Sequence, residues 1–317
     1  MFSVSNKKEN GFDIVVLNDQ SLGTSVEIIP ECGAIMHAFN ILHENKNLNI
    51  IDQYKNKKEF EDRVEVEGFK SCKLSPFVCR LKAGRYKFGE NDYTIEKFYM
   101  DKHALHGLIY DAAFTIVQLD ADTEKARLEL MFSYNGKDKG FPFKYDCRVI
   151  YELTKNNTLE IITSIKNNES NAIPIADGWH PYFTFGDKVN KLQLQFNCNE
   201  MLEFDEDLLP NGKKLPTTLF NELTTIGTTT LDNSFIVNTE KPKPTATLRD
   251  PLKNLQIEIS ADKSYPILQV YIPESRNSIA IENLSAAPDA FNNHIGLTVL
   301  AAGKETEFST TYKIVQL

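Results

Sequence analysis

The chain has 317 residues, with 44 acidic against 35 basic side chains, a formal net charge of −9 and an isoelectric point near 5.3. A hydrophobic fraction of 41% with 10% aromatics supplies a large core and excludes a disordered or fibrous chain. The acidic balance argues against a nucleic-acid partner, which needs clustered Lys and Arg. No apolar run approaches the ~18 residues that span a bilayer, so no membrane partner is expected.

From the N-terminus, the first apolar stretch is the four residues Ile14 to Leu17, short of the ~7–15 that a signal peptide requires. The runs at 12–17, 25–29 and 113–119 are β-rich. Leu128, Leu130, Phe132 and Tyr134 then alternate with mostly polar neighbours, as do Tyr145, Cys147, Val149, Tyr151 and Leu153. Residues 192–196 and 255–259 repeat the pattern, 268–272 is another β-rich run, and Phe308, Thr310, Tyr312 and Ile314 close the chain on one face. Strict alternation marks antiparallel strands with one face on a core and the other wet, and no helical period extends beyond about three turns. Turn residues such as Asn135-Gly136 and Asn167-Asn168 punctuate the strands. Two stretches, 207–231 and the proline-bearing 241–251, read as irregular loops of the kind in which sites are built.

No composition break, repeat or low-complexity tract divides the chain. At roughly 150 residues per domain the length suggests about two, but all-β folds run to ~200–250 residues as one. The expectation is an all-β fold, a large antiparallel β-sandwich forming a single domain over residues 1–317. The cysteines (Cys32, Cys72, Cys79, Cys147, Cys198) are odd in number and lack CxxC spacing, which fits thiols in a reducing compartment better than a disulfide framework or zinc site. The expected location is cytoplasmic.

Six positions invite a chemical reading. His106 reads as a strand-end histidine, and His103 three residues earlier would share a metal with it only on a helix, which Gly107 and the β surroundings oppose; no metal site is expected. His180 stands in Asp177-Gly178-Trp179-His180-Pro181-Tyr182-Phe183, open between an aromatic core plug and a sugar-stacking platform with a proton-transfer group. Glu282 ends the short β run 279–281 and is either a surface charge or a carboxylate whose pKa is lifted in a cleft. Asp232 reads as a turn former unless it faces a site. Arg80, after an apolar run, is a snorkelling arginine or a ligand clamp.

Taken in order, Arg80 with Gly84-Arg85-Tyr86, Leu105-His106-Gly107, His180-Pro181-Tyr182-Phe183, Asp232 before Phe235, and Glu282 before Pro288-Asp289-Ala290 resemble the aldose 1-epimerase (galactose mutarotase) family from about residue 10 to the C-terminus. The resemblance implies the family's β-supersandwich, a small-molecule sugar substrate and no cofactor. It implies that Glu282 takes the proton of the C1 hydroxyl as general base and that His180 protonates the ring oxygen as general acid. Arg80, His106 and Asp232 would then bind and orient the sugar. The sequence departs from the family pattern at Cys79, where many mutarotases have asparagine, at Leu108 after His106-Gly107, and at Asn283-Leu284 after Glu282. These departures leave the proton-transfer groups in place and the choice of sugar open.

Two other readings share the fold. A hexose-6-phosphate 1-epimerase would need a further cationic clamp, for which Lys73, Lys82 and Arg85 stand near Arg80 in sequence. A non-catalytic sugar-binding protein would have no need of both His180 and Glu282.

Overall fold

The computed structural model describes residues 1–238 and 244–317, and strands dominate it as the alternation predicts. The N-terminal third begins with a five-stranded antiparallel meander, Phe2–Glu9, Phe12–Asp19, Thr24–Ile29, Ile35–His43 and Lys46–Asn49. A nine-stranded sheet follows, running Thr115–Ala121, Lys125–Tyr134, Tyr145–Thr154, Thr158–Asn167, Glu305–Gln316, Leu255–Ala261, Ala246–Asp250, Gln193–Phe196 and Thr224–Thr225 from edge to edge. Its central strands are long because their polarity pattern is unbroken. Tyr145–Thr154 alternates buried and half-buried at every residue, and it pairs in continuous register with Lys125–Tyr134 and Thr158–Asn167.

The second large sheet carries the site. It runs Pro210–Pro216, Cys198–Phe204, Asp232–Val237, Ile267–Tyr271, Ile279–Leu284, Gly178–Trp179 and Lys73–Leu74, with Tyr182–Phe183 also paired to Ile279–Leu284. It faces the nine-stranded sheet across a shared core. Trp179 packs edge-on against Tyr151 at 6.0 Å and Phe183 against Tyr312 at 5.5 Å, while Asn283 Nδ2 donates to Thr310 Oγ1 at 2.6 Å. The result is an all-β sandwich with two short α-helices among the described residues, Lys57–Arg63, capped by the Asn56 side chain, and Ala290–Asn293. All five cysteines are buried thiols.

Two expectations need correction. The stretch 207–231 contains two strands, Pro210–Pro216 and Thr224–Thr225; sheet pairing overrides local composition there, as it does for Ala246–Asp250 within 241–251. Residues 241–243 of that second stretch lie outside the described residues. The β-rich run at 113–119 forms the strand Thr115–Ala121, at a sheet edge with Ile116 and Val117 exposed.

At the junction of the two sheets lies a fully buried ion pair. Lys73 Nζ meets Asp177 Oδ1 at 2.5 Å with both side chains closed to solvent. The ammonium also donates to the Gly178 carbonyl at 3.2 Å and sits 4.5 Å from the Trp179 ring centroid. The Tyr265 hydroxyl donates to the same carboxylate oxygen at 2.7 Å. Lys73 is therefore committed to the core and is no clamp for a phosphate. Removing one partner strands the other charge in a dry interior. Lys73→Met is expected to lower unfolding free energy by about 3–5 kcal/mol, and Lys73→Met with Asp177→Asn by clearly less, as read from urea denaturation midpoints.

Candidate active site

Strand alternation alone places the key side chains. In Ile279–Leu284, Asn283 turns toward Thr310 and the core, so Glu282 must point to the opposite face. Gln269 lies directly across from Glu282 on Ile267–Tyr271, and Tyr271 and Ser234 lie across from Asp232 and Gln269 respectively. These residues form a polar ladder over three neighbouring strands: Ser234 Oγ donates to Gln269 Oε1, and Gln269 Nε2 donates to Asp232 Oδ1 at 2.8 Å. Glu282 is thus an interior strand residue, not the strand end expected, and Asp232 opens a strand rather than making a turn.

The same rule governs His180. Asp177 and Trp179 are held in the core by Lys73, so His180 emerges on the other side. Its own backbone is pinned between Cys72 O, which accepts from His180 N at 3.1 Å, and Ser71 N, which donates to His180 O at 2.9 Å. Trp179 is therefore no sugar platform. Tyr182 lies parallel to the His180 ring instead, 5.0 Å away and 11° from coplanar.

His106 reaches the site from the third side. It follows the strand His103–Leu105 with a left-handed backbone, φ +60°, and its N–H donates to Cys79 O at 3.0 Å. Gly107 completes the swing at φ +80°, where a Cβ would stand 2.3 Å from Ser75 O; only glycine fits so close to another backbone. The His106 ring stands edge-on to His180 at 4.9 Å, and Phe69 packs on it at 4.6 Å. Arg80 lies opposite Leu105 on a two-residue strand. His103 stays outside: its Nδ1 accepts from Ala83 N at 3.0 Å, and among the described residues no cluster of three or more His, Cys, Asp or Glu is placed to hold a metal.

All five sequence-predicted residues, Arg80, His106, His180, Asp232 and Glu282, line one cavity of about 210 Å³. That is below the ~300–1,000 Å³ usual for drug-sized ligands and suits a small one. Phe69, Tyr182, Gln269 and Tyr271 share the wall. The sequence reading did not single these out as site residues, although Gln269, a lone amide inside the apolar run 267–271, was a visible signal.

At the floor, His180 Nε2 lies 3.5 Å from Glu282 Oε1. Glu282 is 1% exposed, His180 5% and His106 8%. Burial pushes the Glu282 carboxyl well above the usual carboxylate range, and the negative charge of Asp232 adds to this. Burial lowers His180 to about 4 and holds His106 far below the ordinary imidazole range, with His180 and Arg80 adding to the latter. Asp232 is raised by burial, against the pull of Arg80 and the Gln269 hydrogen bond. Glu282 Oε2, His180 Nδ1 and His106 Nδ1 have no protein partner. Buried polar atoms without partners are costly, and here they converge on a hollow that a hydroxyl-rich ligand would satisfy. A carboxylate and an imidazole so placed, sharing one proton, titrate as a coupled pair able to give and take protons on one bound molecule.

The linkage has a definite sign. A carboxyl whose folded pKa is raised contributes stability that is complete below its unfolded value near 4.5 and is lost as pH rises through the folded pKa. Glu282→Gln is therefore expected to raise the melting temperature relative to the parent chain at pH 7–8, with the advantage shrinking as pH falls toward 4.5. Thermal melts across that range check it. The lowered His180 acts in the other direction, costing stability between about 6.5 and about 4 as pH falls.

Residues 13–313 match the family described as Aldose 1-epimerase. Over 238 residues the chain is 28% identical to the uncharacterised protein YihR of Escherichia coli, covering 73% of this chain and 74% of that one. It is 22% identical to the maltose epimerase of Levilactobacillus brevis, covering 94% and 93% of the two chains. A galactose mutarotase-like protein from Clostridium acetobutylicum superposes with a TM-score of 0.88 over 100% of this chain and 99% of its own at 19% identity, a likeness of fold.

Proposed function

The chain belongs to the aldose 1-epimerase family, and we propose that it interconverts the α and β anomers of a free aldose, with Glu282 as general base and His180 as general acid. The observation that carries this reading is the approach of Glu282 Oε1 and His180 Nε2 to 3.5 Å at the floor of the cavity that Arg80, His106 and Asp232 also line. The Glu282 carboxylate takes the proton of the C1 hydroxyl while the His180 imidazolium gives its proton to the ring oxygen. The C1–O5 bond breaks, and an open-chain aldehyde results. Rotation about C1–C2 presents the other carbonyl face, and the two proton transfers reverse as the ring closes.

No electrons leave the sugar and no proton is consumed, so the pair needs only its single proton. Unperturbed values would keep that proton on the imidazole. Raising Glu282 and lowering His180 moves it toward the carboxyl, the form that follows ring opening and from which the ring closes. Arg80, His106 and Asp232 would hold the hydroxyls and orient the ring.

A neutral sugar is the substrate this cavity favours. Among its described lining residues Arg80 is the sole Lys or Arg, against Glu65, Asp232 and Glu282. Lys73 is locked to Asp177, and Lys82 and Arg85 are exposed and off the cavity wall. A phosphate dianion would find too little positive charge. The buried thiols are in keeping with a cytoplasmic setting, and no helix among the described residues is long and apolar enough to cross a membrane.

Two measurements test the proposal. Polarimetry of freshly dissolved α-glucose and α-galactose should show acceleration by the protein, with little or none on the 6-phosphates; acceleration confined to the phosphates would reverse the assignment. Glu282→Gln and His180→Ala should each lose ~10²–10⁴ of the rate while remaining folded by circular dichroism. A variant that kept its rate would remove that residue from the mechanism.

A further inference from the structure

The His180 ring meets three neighbours, each in a different way. Its Nε2 lies 3.5 Å from Glu282 Oε1. His106 stands edge-on to it, with centroids 4.9 Å apart and planes at 83°. Tyr182 covers its face, 5.0 Å away and 11° from parallel. An aliphatic side chain would fill that face equally well, so the choice of an aromatic ring calls for a reason.

Local structure builds the stack and then locks it. The residue before a proline is pushed to extended backbone, and residues two apart on an extended chain share a face. Tyr182 therefore follows His180 to the cavity side, while Phe183 turns to Tyr312 in the core. Tyr182 pairs with Ala280 on the neighbouring strand, and its carbonyl accepts from Asp52 N at 2.9 Å. Tyr271 stands edge-on to the phenol ring at 6.4 Å. At the hydroxyl end Gly68 has φ +85°, and a Cβ there would stand 2.7 Å from the Tyr182 oxygen. The loop closes on the phenol only because it carries no side chain at that point.

We propose that Tyr182 is a positioning residue for the reaction, its ring face bearing the positive charge of His180 while the imidazole holds the proton destined for the ring oxygen. The inference rests on the mutarotase reading above. A cation in a closed cavity needs compensation, and burial works against protonated His180 here. A second carboxylate would supply it, but would compete for the one proton that the pair shares. An aromatic face attracts a cation through its quadrupole when the two lie within about 6 Å. The Tyr182 phenol, pushed up by burial, keeps its own proton. Tyr182 thus favours the imidazolium without entering the proton exchange.

The test is a graded one: Tyr182→Phe as reference, then phenylalanine bearing one, two and three ring fluorines at the same position. Fluorine drains the ring face of negative charge while barely changing its shape. The other charged or titratable groups lining the cavity, Glu65, Cys79, Arg80, His106, Asp232 and Tyr271 beside Glu282, are the same in every member. NMR titration of the His180 ring nitrogens should show the midpoint falling with each fluorine, by about one pH unit across the series. Polarimetry on glucose and galactose should show kcat falling about tenfold over the same series, with KM little changed. A midpoint indifferent to fluorine would overturn the proposal, and so would a falling midpoint beside a level kcat, because packing alone is blind to the ring's charge distribution. The titration needs no substrate, so the two readings fail separately. A midpoint that follows the fluorines in a chain that turns over no sugar supports the charge-bearing stack and ends the mutarotase reading.

Discussion

The arrangement of the site depends on one buried salt bridge. Two opposite charges out of water carry a heavy desolvation cost that attraction and added hydrogen bonds only just repay, so Lys73 and Asp177 have little freedom in where they sit. Lys73, Tyr265 and the Ser285 hydroxyl, which accepts from Asp177 N at 2.8 Å, hold that residue from three directions. The segment Asp177 to His180 is thereby fixed between Lys73–Leu74 and Ile279–Leu284. Because successive residues of an extended chain face opposite ways, anchoring Asp177 and Trp179 on the inside determines where His180 must stand on the outside. The ion pair never touches the cavity, yet it sets where His180 enters it.

The opposite wall trades stability for chemistry. On the face of this sheet turned away from the shared core, Asp232, Ser234, Gln269 and Glu282 stand together, and Ser234, Gln269 and Glu282 are buried there. Gln269 and Ser234 settle part of the resulting hydrogen-bond debt among themselves. Glu282 Oε2 and His180 Nδ1 stay without protein partners. Such local frustration on an otherwise consistent scaffold is the pattern expected where function opposes folding.

Much of this was legible in the sequence because strands with one wet face write their orientation into alternation. Tyr145 to Leu153 needed no structure to be read, and the five spaced motifs brought Arg80, His106, His180, Asp232 and Glu282 together before any coordinate did. What failed did so for non-local reasons. Glu282 reads as a strand end because a proline-containing loop follows; the strand runs on instead through Asn283, whose Nδ2 donates to Thr310 from a strand in the facing sheet. Locally Trp179 reads equally as a core plug or as part of a sugar platform, because nothing nearby in sequence reveals that Lys73 lies over its ring. The Lys73–Asp177 pairing spans 104 positions and carries no periodic signature. The stretch 207–231 looked irregular because threonines, prolines and a glycine describe a turn as well as an edge strand, and only the partner Cys198–Phe204 decides between them.

The order of strands in the nine-stranded sheet has a consequence for how the molecule comes into being. Glu305–Gln316 lies between Thr158–Asn167 and Leu255–Ala261, so two blocks of sheet made earlier have no contact along that seam until it arrives. On the ribosome each block must wait with an open, hydrogen-bond-hungry edge, and the wait lasts until residues 305–316 clear the exit tunnel. Closure is then a long-range event of the kind that folds slowly and exposes the chain to unwanted pairing. Until the seam is filled both blocks present those edges to any strand that meets them, whatever the stability of the finished sheet.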